Sequence, residues 1–256
     1  MVSVKPIKGI HENVFKQSQH EHLPRCPLRG LLCAPSAGGK SVLATNIILE
    51  FYKGVFDKVF YFSASADLDP ALTPIRKYCI QDLGMDPDKE ECLHSKFDLQ
   101  VIENIIARQR SALKQAKLQR LDTLPQVLLI IDDFADDPKV ARGEMLKTLF
   151  VRGRHSGVST IVMTQKVRLI QPAVRVNASF YIVFRLKNFQ DLSSIIEEMS
   201  ALVDKKTVRA LYEHATATPY SFIYVNLQAK TLETTFYRNF ESRLVVNNSS
   251  QMPIDP

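Results

Sequence analysis

The mainly apolar run at 28–33 breaks into Ala34-Pro35-Ser36-Ala37-Gly38-Gly39-Lys40-Ser41 and then into a helical pattern at 42–49. A strand, a flexible loop ending in Gly-Lys-Ser, and a helix fix a strand-to-helix crossover with the loop at the strand's carboxyl end. In that setting the stretch Pro35, Ser36, Ala37, Gly38, Gly39, Lys40, Ser41 and Val42 turns backbone N–H dipoles and a helix N-terminus toward a phosphate chain. Lys40 would reach the β- and γ-phosphates as a point charge, and the Ser41 hydroxyl would ligate Mg²⁺. The pattern has Gly at its first position, where this chain has Ala34. A methyl group there requires a negative φ, because positive φ is cheap only for Gly. A plain Gly-Gly turn before a helix that carries Lys-Ser would read the same way, so a second motif must decide.

That motif is Gln126-Val127-Leu128-Leu129-Ile130-Ile131-Asp132-Asp133. An apolar run ending in two carboxylates suits a central parallel strand whose carboxyl end faces a ligand. Asp132 is placed to hold Mg²⁺ beside Ser41, through water, and Asp133 to orient or deprotonate an attacking water. Asp is shorter than the Glu usual for that task, so the water must sit closer or be bridged. Gln165 ends the strand pattern at 159–165, where its amide can donate to a γ-phosphate and accept from water. Arg152, Arg154 and Arg175 are candidates for a transition-state cation supplied by a neighbouring subunit.

Along the chain, strand patterns at 28–33, 58–64, 126–133, 159–165 and 179–185 alternate with helical patterns at 41–52, 71–83, 99–120, 142–151, 188–201 and 204–216. The segments 222–227 and 233–238 read as a hairpin. This alternation predicts an α/β domain at 28–246, with a mostly parallel central sheet, helices on both faces and a C-terminal β-hairpin. Residues 1–27, with Pro6, Pro24 and Pro27, read as an extended arm, and 247–256 as a disordered tail.

An apolar content of 45% in 256 residues suffices to cover both faces of such a sheet. No run approaches the length of a membrane span, so no membrane partner is expected. The N-terminus lacks the apolar region of a secretory signal, which gives an intracellular expectation. Cys26, Cys33, Cys79 and Cys92 form no C-x-x-C pair and read as free thiols. Neither His20, His22 and Cys26 nor Cys92 with His94 completes a zinc set. The net charge of +6 favours a polyanionic partner. Arg108, Arg110, Lys114, Lys117 and Arg120 follow one another on the amphipathic helix at 99–120 with no acidic residue among them. They read either as a solvated face or as a nucleic-acid contact, as do Lys166 and Arg168 beyond Gln165.

The block Arg152-Gly153-Arg154-His155-Ser156-Gly157-Val158-Ser159 running on to Gln165, taken with Gly39-Lys40-Ser41 and 128–133, resembles the poxvirus-type genome-packaging ATPases of the FtsK–HerA P-loop superfamily. Pro172, Arg175-Val176-Asn177 and Glu197-Glu198 extend the resemblance, which spans about 28–227. The resemblance implies an ATP- and Mg²⁺-dependent translocase of double-stranded DNA that loads a genome into a capsid, with the nucleotide at subunit interfaces. It also implies a homo-oligomeric ring of five or six subunits, capsid or portal components as partners, and host assembly sites or the virion as location. By the same resemblance Gln165 matches a glutamine sensor, and Arg154 or Arg175 the trans-acting arginine. Two alternatives remain open on sequence: a HerA-like translocase or helicase of repair or mobile elements, and a non-hydrolysing nucleotide switch or structural adaptor.

Overall fold

The apolar runs form strands because helices cover the sheet they build. The computed structural model describes residues 14–134 and 137–246. Its elements are β1 (Val14–Phe15), β2 (Arg29–Cys33), α1 (Lys40–Asn46), β3 (Lys58–Ser63), α2 (Thr73–Gln81), β4 (Leu93–His94), α3 (Leu99–Leu118), β5 (Thr123–Leu124) and β6 (Val127–Asp132). Then follow α4 (Pro138–Ala141), α5 (Glu144–Arg152), β7 (Val158–Thr164), α6 (Pro172–Arg175), β8 (Phe180–Phe184), α7 (Phe189–Met199), α8 (Lys205–Ala215), β9 (Phe222–Asn226), β10 (Phe236–Arg238) and β11 (Ser242–Arg243).

Nine strands form one sheet in the order β11-β10-β9-β8-β2-β7-β6-β3-β4. From β8 to β4 every pairing is parallel, and β9, β10 and β11 add antiparallel strands at the other edge. Every residue of β6, β7 and β8 is buried, as expected for strands covered on both faces. The chain crosses from β2 over to β3 and β4, then returns through β6 and β7 to β8 on the far side of β2. Right-handed crossovers in opposite directions place α1 and α2 on one face and α3, α5 and α6 on the other. Accordingly, α3 and α5 both pack on the 3₁₀ turn Gly153–Ser156.

The strand patterns read from sequence match β2, β3, β6, β7 and β8 to within a residue or two. Two elements differ. The helix expected over 41–52 changes after Asn46 into a π-helical turn, Ile47–Phe51, closed by Tyr52 N–H donating to the Ile47 carbonyl at 2.9 Å. The wider turn carries the Phe51 ring onto Phe240, with centroids 4.6 Å apart, and leaves the Phe51 carbonyl to accept from Ser18 at 2.6 Å. In the hairpin, the second strand starts at Phe236 because Leu232–Thr234 form a 3₁₀ turn. There the Thr234 and Thr235 hydroxyls donate to the Thr231 carbonyl.

Residues 14–27 lie along the domain. β1 pairs with β5, Tyr52 donates to the Pro24 carbonyl at 2.8 Å, and Tyr224 donates to the His22 carbonyl at 2.9 Å. The remainder of the expected arm, 1–13, and the expected tail, 247–256, lie outside the described residues. Among the described residues no helix is long and apolar enough to cross a membrane, and all four cysteines are buried and form no disulfide.

Candidate functional site

β2, β6 and β7 end side by side, and the loop after β2 stands over those ends. Ala34 is fully buried, and its N–H continues the bonding of β2 to β7 by donating to the Thr164 carbonyl at 3.1 Å. Its φ is not positive, so the methyl group at the motif's first position is tolerated. Positive φ falls instead on Ala37, at 58°, and on Gly39, at 96°. Gly38 is needed for closeness, since a Cβ there would lie 2.9 Å from the Pro35 carbonyl oxygen. Gly39 is the N-cap of α1, which begins at Lys40 and directs its first N–H groups at the space before the loop.

Beside the loop lies a cleft of about 760 Å³, lined by Ser36 through Leu43, Asp69, Asp132, Asp133 and Tyr220 among others. Lys40 is buried, and its Nζ lies 3.2 Å from Asp133 Oδ1. Asp133 has a φ of 59°, which turns its side chain out of the line of β6. Gln165 joins the pair from the end of β7, with Nε2 donating to Asp133 Oδ1 at 3.5 Å, the outer limit of a hydrogen bond. β7 lies between β2 and β6, so Gln165 stands between the phosphate loop and the carboxylates.

Asp132 is buried beneath this group. Its Oδ2 accepts from the Tyr61 hydroxyl at 3.1 Å, and its Oδ1 has no hydrogen-bond partner among the described residues. Burial, and next the charge of Asp133, push the Asp132 pKa up to about 7, against the opposing pull of Lys40 and Tyr61. An unsatisfied carboxylate oxygen at the foot of a cleft that also contains Ser41 fits a hard divalent cation. Oxygen donors of this kind suit Mg²⁺, with water completing its shell.

Apart from Lys40, the cationic residues singled out from sequence do not line this cleft. Arg154 lies in the turn before β7, seven strand residues from Gln165, or about 23 Å along the strand. It is exposed and close enough to Arg29, at the start of β2, to lower that guanidinium's pKa, second to burial. Arg175 also precedes its strand, and its Nε donates to Glu198 Oε1 at 2.7 Å while Nη1 donates to the Ile170 carbonyl at 2.6 Å. Arg108, Arg110, Lys114, Lys117 and Arg120 run along and just beyond the second half of α3, toward the end of the sheet opposite the cleft. Arg110 donates to Ser156 Oγ at 3.0 Å, and Arg108 pairs with Glu90 at 3.4 Å. Lys166 and Arg168 follow Gln165 at the cleft end, where Arg168 bonds Gln190 and its N–H donates to Asp191 at 3.3 Å.

The structure adds residues that motif reading passed over. Tyr61 reads in sequence as one more core aromatic of β3, and only register shows it opposite Ile130, beside Asp132. Asp69, which caps the 3₁₀ turn Pro70–Leu72 by accepting from Ala71 N–H at 2.9 Å, lines the same cleft. So do Phe184 and Phe222, at the ends of the distant strands β8 and β9, and Tyr220 in the turn before β9.

A Gly-Lys-Ser loop after one parallel strand and an acidic pair after the next but one, with a third strand between, is the fold of the P-loop ATPases. Solved structures that share it include the genome packaging NTPase B204 from Sulfolobus turreted icosahedral virus 2 in complex with AMP, with a TM-score of 0.52 and 13% identity, covering 83% of this chain and 97% of that one. The pCW3 conjugation coupling protein TcpA with ATPγS has a TM-score of 0.52 and 12% identity, covering 85% of this chain and 62% of that one. At these identities the likeness concerns fold alone. The family model described as Poxvirus A32 protein matches residues 16–221, and the chain belongs to that family. Curated relatives include the uncharacterized protein 075L of Invertebrate iridescent virus 6, 25% identical over 54% of this chain and 52% of its own length. The uncharacterized protein 015R of Frog virus 3 (isolate Goorha) is 25% identical over 47% of this chain and 36% of its own. The chain thus spans about half or less of the length of these relatives.

Proposed function

We propose that this chain is an ATP-hydrolysing motor subunit that moves double-stranded DNA into a capsid, assembled as a ring with its nucleotide sites at subunit interfaces. The observation that carries the reading is the gathering of Lys40, Ser41, Asp132, Asp133 and Gln165 around one cleft with no arginine among the described residues that line it. Family membership supports the packaging role, and the fold supports the nucleotide chemistry.

The charges suggest an order of events. Without nucleotide, Lys40 is neutralised by Asp133. Phosphates seated on the loop take over Lys40, which releases Asp133 to orient and deprotonate a water beside Gln165. Ser41 and Asp132 would hold Mg²⁺, whose charge neutralises the phosphate oxygens when bound. The remaining charge needs a cation that the cleft does not contain. Arg154, exposed at the far end of β7, can act only on a neighbour's site, as an arginine in trans. Arg175 would first have to give up Glu198. The basic row on α3, with Lys166 and Arg168, supplies phosphate contacts that are indifferent to sequence and weaken steeply with salt. Capsid or portal components are the partners this role requires.

The test is steady-state ATP hydrolysis with and without linear double-stranded DNA, beside Lys40→Ala and Asp133→Asn. The expected result is turnover stimulated by DNA and lost in both variants. Bound nucleotide without turnover, at protein concentrations that support assembly, would replace the motor with a nucleotide switch.

A further inference from the structure

The cleft has two chemically distinct ends. Lys40, Ser41, Asp69, Asp132 and Asp133 gather toward β3 and β6, where phosphate and cation chemistry belongs. Toward β8 and β9 the lining is Phe184, Phe222 and Tyr220. Phe184 and Phe222 are buried against each other, with centroids 5.1 Å apart. Tyr220 is 73% exposed, yet it is held in place. Its φ of 61° is unfavourable for a bulky side chain. The turn that imposes it is pinned by Ser221 Oγ donating to the Thr218 carbonyl at 2.6 Å and by Arg238 donating to Thr218 Oγ1 at 3.0 Å. The ring stands over the phosphate loop: a Cβ on Gly39 would lie 3.5 Å from Tyr220 Cδ1 and 3.8 Å from Phe184 Cε1. Backbone strain that fixes an exposed aromatic ring at the mouth of a cleft points to a ligand face.

We propose that Tyr220, backed by Phe184 and Phe222, is the stacking platform for the nucleobase, and that the site takes purine nucleoside triphosphates as a class. The proposal rests on the reading of the cleft as a nucleoside triphosphate site. A cleft of about 760 Å³ has room for a base and sugar beyond the phosphates and a cation, and its polarity divides as such a ligand does. Stacking reads the area of the ring and not its hydrogen-bonding edge, so adenine and guanine are held alike.

The chain contains no tryptophan, so Tyr220→Trp installs a single reporter at the platform. Its fluorescence is expected to be quenched by Mg·ATP and Mg·GTP and unchanged by inorganic tripolyphosphate. By calorimetry on the full chain, Tyr220→Ala is expected to weaken both nucleotides by roughly tenfold or more, the scale of one base–aromatic stack, while tripolyphosphate binds as in wild type. Thermal unfolding of each variant shows whether the fold is intact. Unchanged nucleotide affinity in a folded Tyr220→Ala protein overturns the platform and leaves the phosphate site standing. A strong preference for ATP over GTP in wild type overturns the class of ligand. Failure of wild type to bind either nucleotide or tripolyphosphate removes the site reading and this inference together.

Discussion

Replacing Asp132 by Asn should stabilise the protein in the absence of nucleotide and Mg²⁺, although it removes a residue of the site. Asp132 has its pKa raised from 3.8 to about 7, chiefly by burial. Between those values the folded state binds the proton more tightly than the unfolded chain, so stability falls as pH rises through the window. At about 1.4 kcal/mol for each tenfold difference in acidity, the ionised carboxylate costs the fold about 4 kcal/mol above pH 7 as an upper bound. Asn can still accept from Tyr61 through its carbonyl oxygen, but it places an NH₂ where Oδ1 now has no partner. Leaving that donor unsatisfied returns about 1–3 kcal/mol. A net gain of roughly 1–3 kcal/mol remains, and each kcal/mol raises Tm by about 2–4 °C in a chain of this size. Thermal unfolding of both proteins from pH 4 to pH 8 checks this. The Asn variant should lie about 1–3 kcal/mol below wild type near pH 4, where Asp132 is protonated, overtake it as pH rises toward 7 and hold its lead above. An Asn variant less stable than wild type at pH 8 would refute the reasoning.

Other outcomes follow from the same geometry. Asp133→Asn removes the carboxylate that competes with phosphates for Lys40, so it should bind ATP several-fold more tightly while losing turnover, read by calorimetry beside a hydrolysis assay. Ala37→Gly relieves a left-handed alanine and should raise stability by about 0.5–1 kcal/mol, whereas Gly39→Ala should lose about 1–2 kcal/mol, both read from denaturant unfolding. Arg175→Ala breaks a half-buried ion pair with Glu198 and should lower Tm, whereas the exposed Arg154→Ala should leave Tm unchanged and abolish turnover. If Arg154 acts in trans, mixing Arg154→Ala with Lys40→Ala subunits should restore part of the turnover that neither shows alone. No recovery in mixed assemblies would count against that role.

The parallel strands are legible because strands covered on both faces carry continuous apolar or β-branched runs, as at 127–131 and 160–163. The loop was legible because Gly39-Lys40-Ser41 must open a helix, and the positions of Asp132, Asp133 and Gln165 follow once each strand is known to run toward the same edge. What escaped depends on register and on long-range contact. β1, β4, β5 and β11 are two residues each, too short to carry periodicity. The pairing of Tyr61 with Asp132 comes from the alignment of β3 on β6, and Tyr220 reaches Gly39 across 181 positions of chain. No spacing rule in one sequence records such contacts. Composition is equally silent about the strain at Ala37, because the motif poses the question at Ala34, where φ is not positive.

If hydrolysis in this cleft drives double-stranded DNA past the protein, as proposed, a triplex-displacement assay measures that movement directly. A labelled third strand is annealed on a linear duplex, and its release by the purified chain is followed with ATP, with a non-hydrolysable analogue, and with Lys40→Ala. Release is expected with ATP alone, slowed by added salt and absent in the variant. Full DNA-stimulated hydrolysis with no release of the third strand would contradict it.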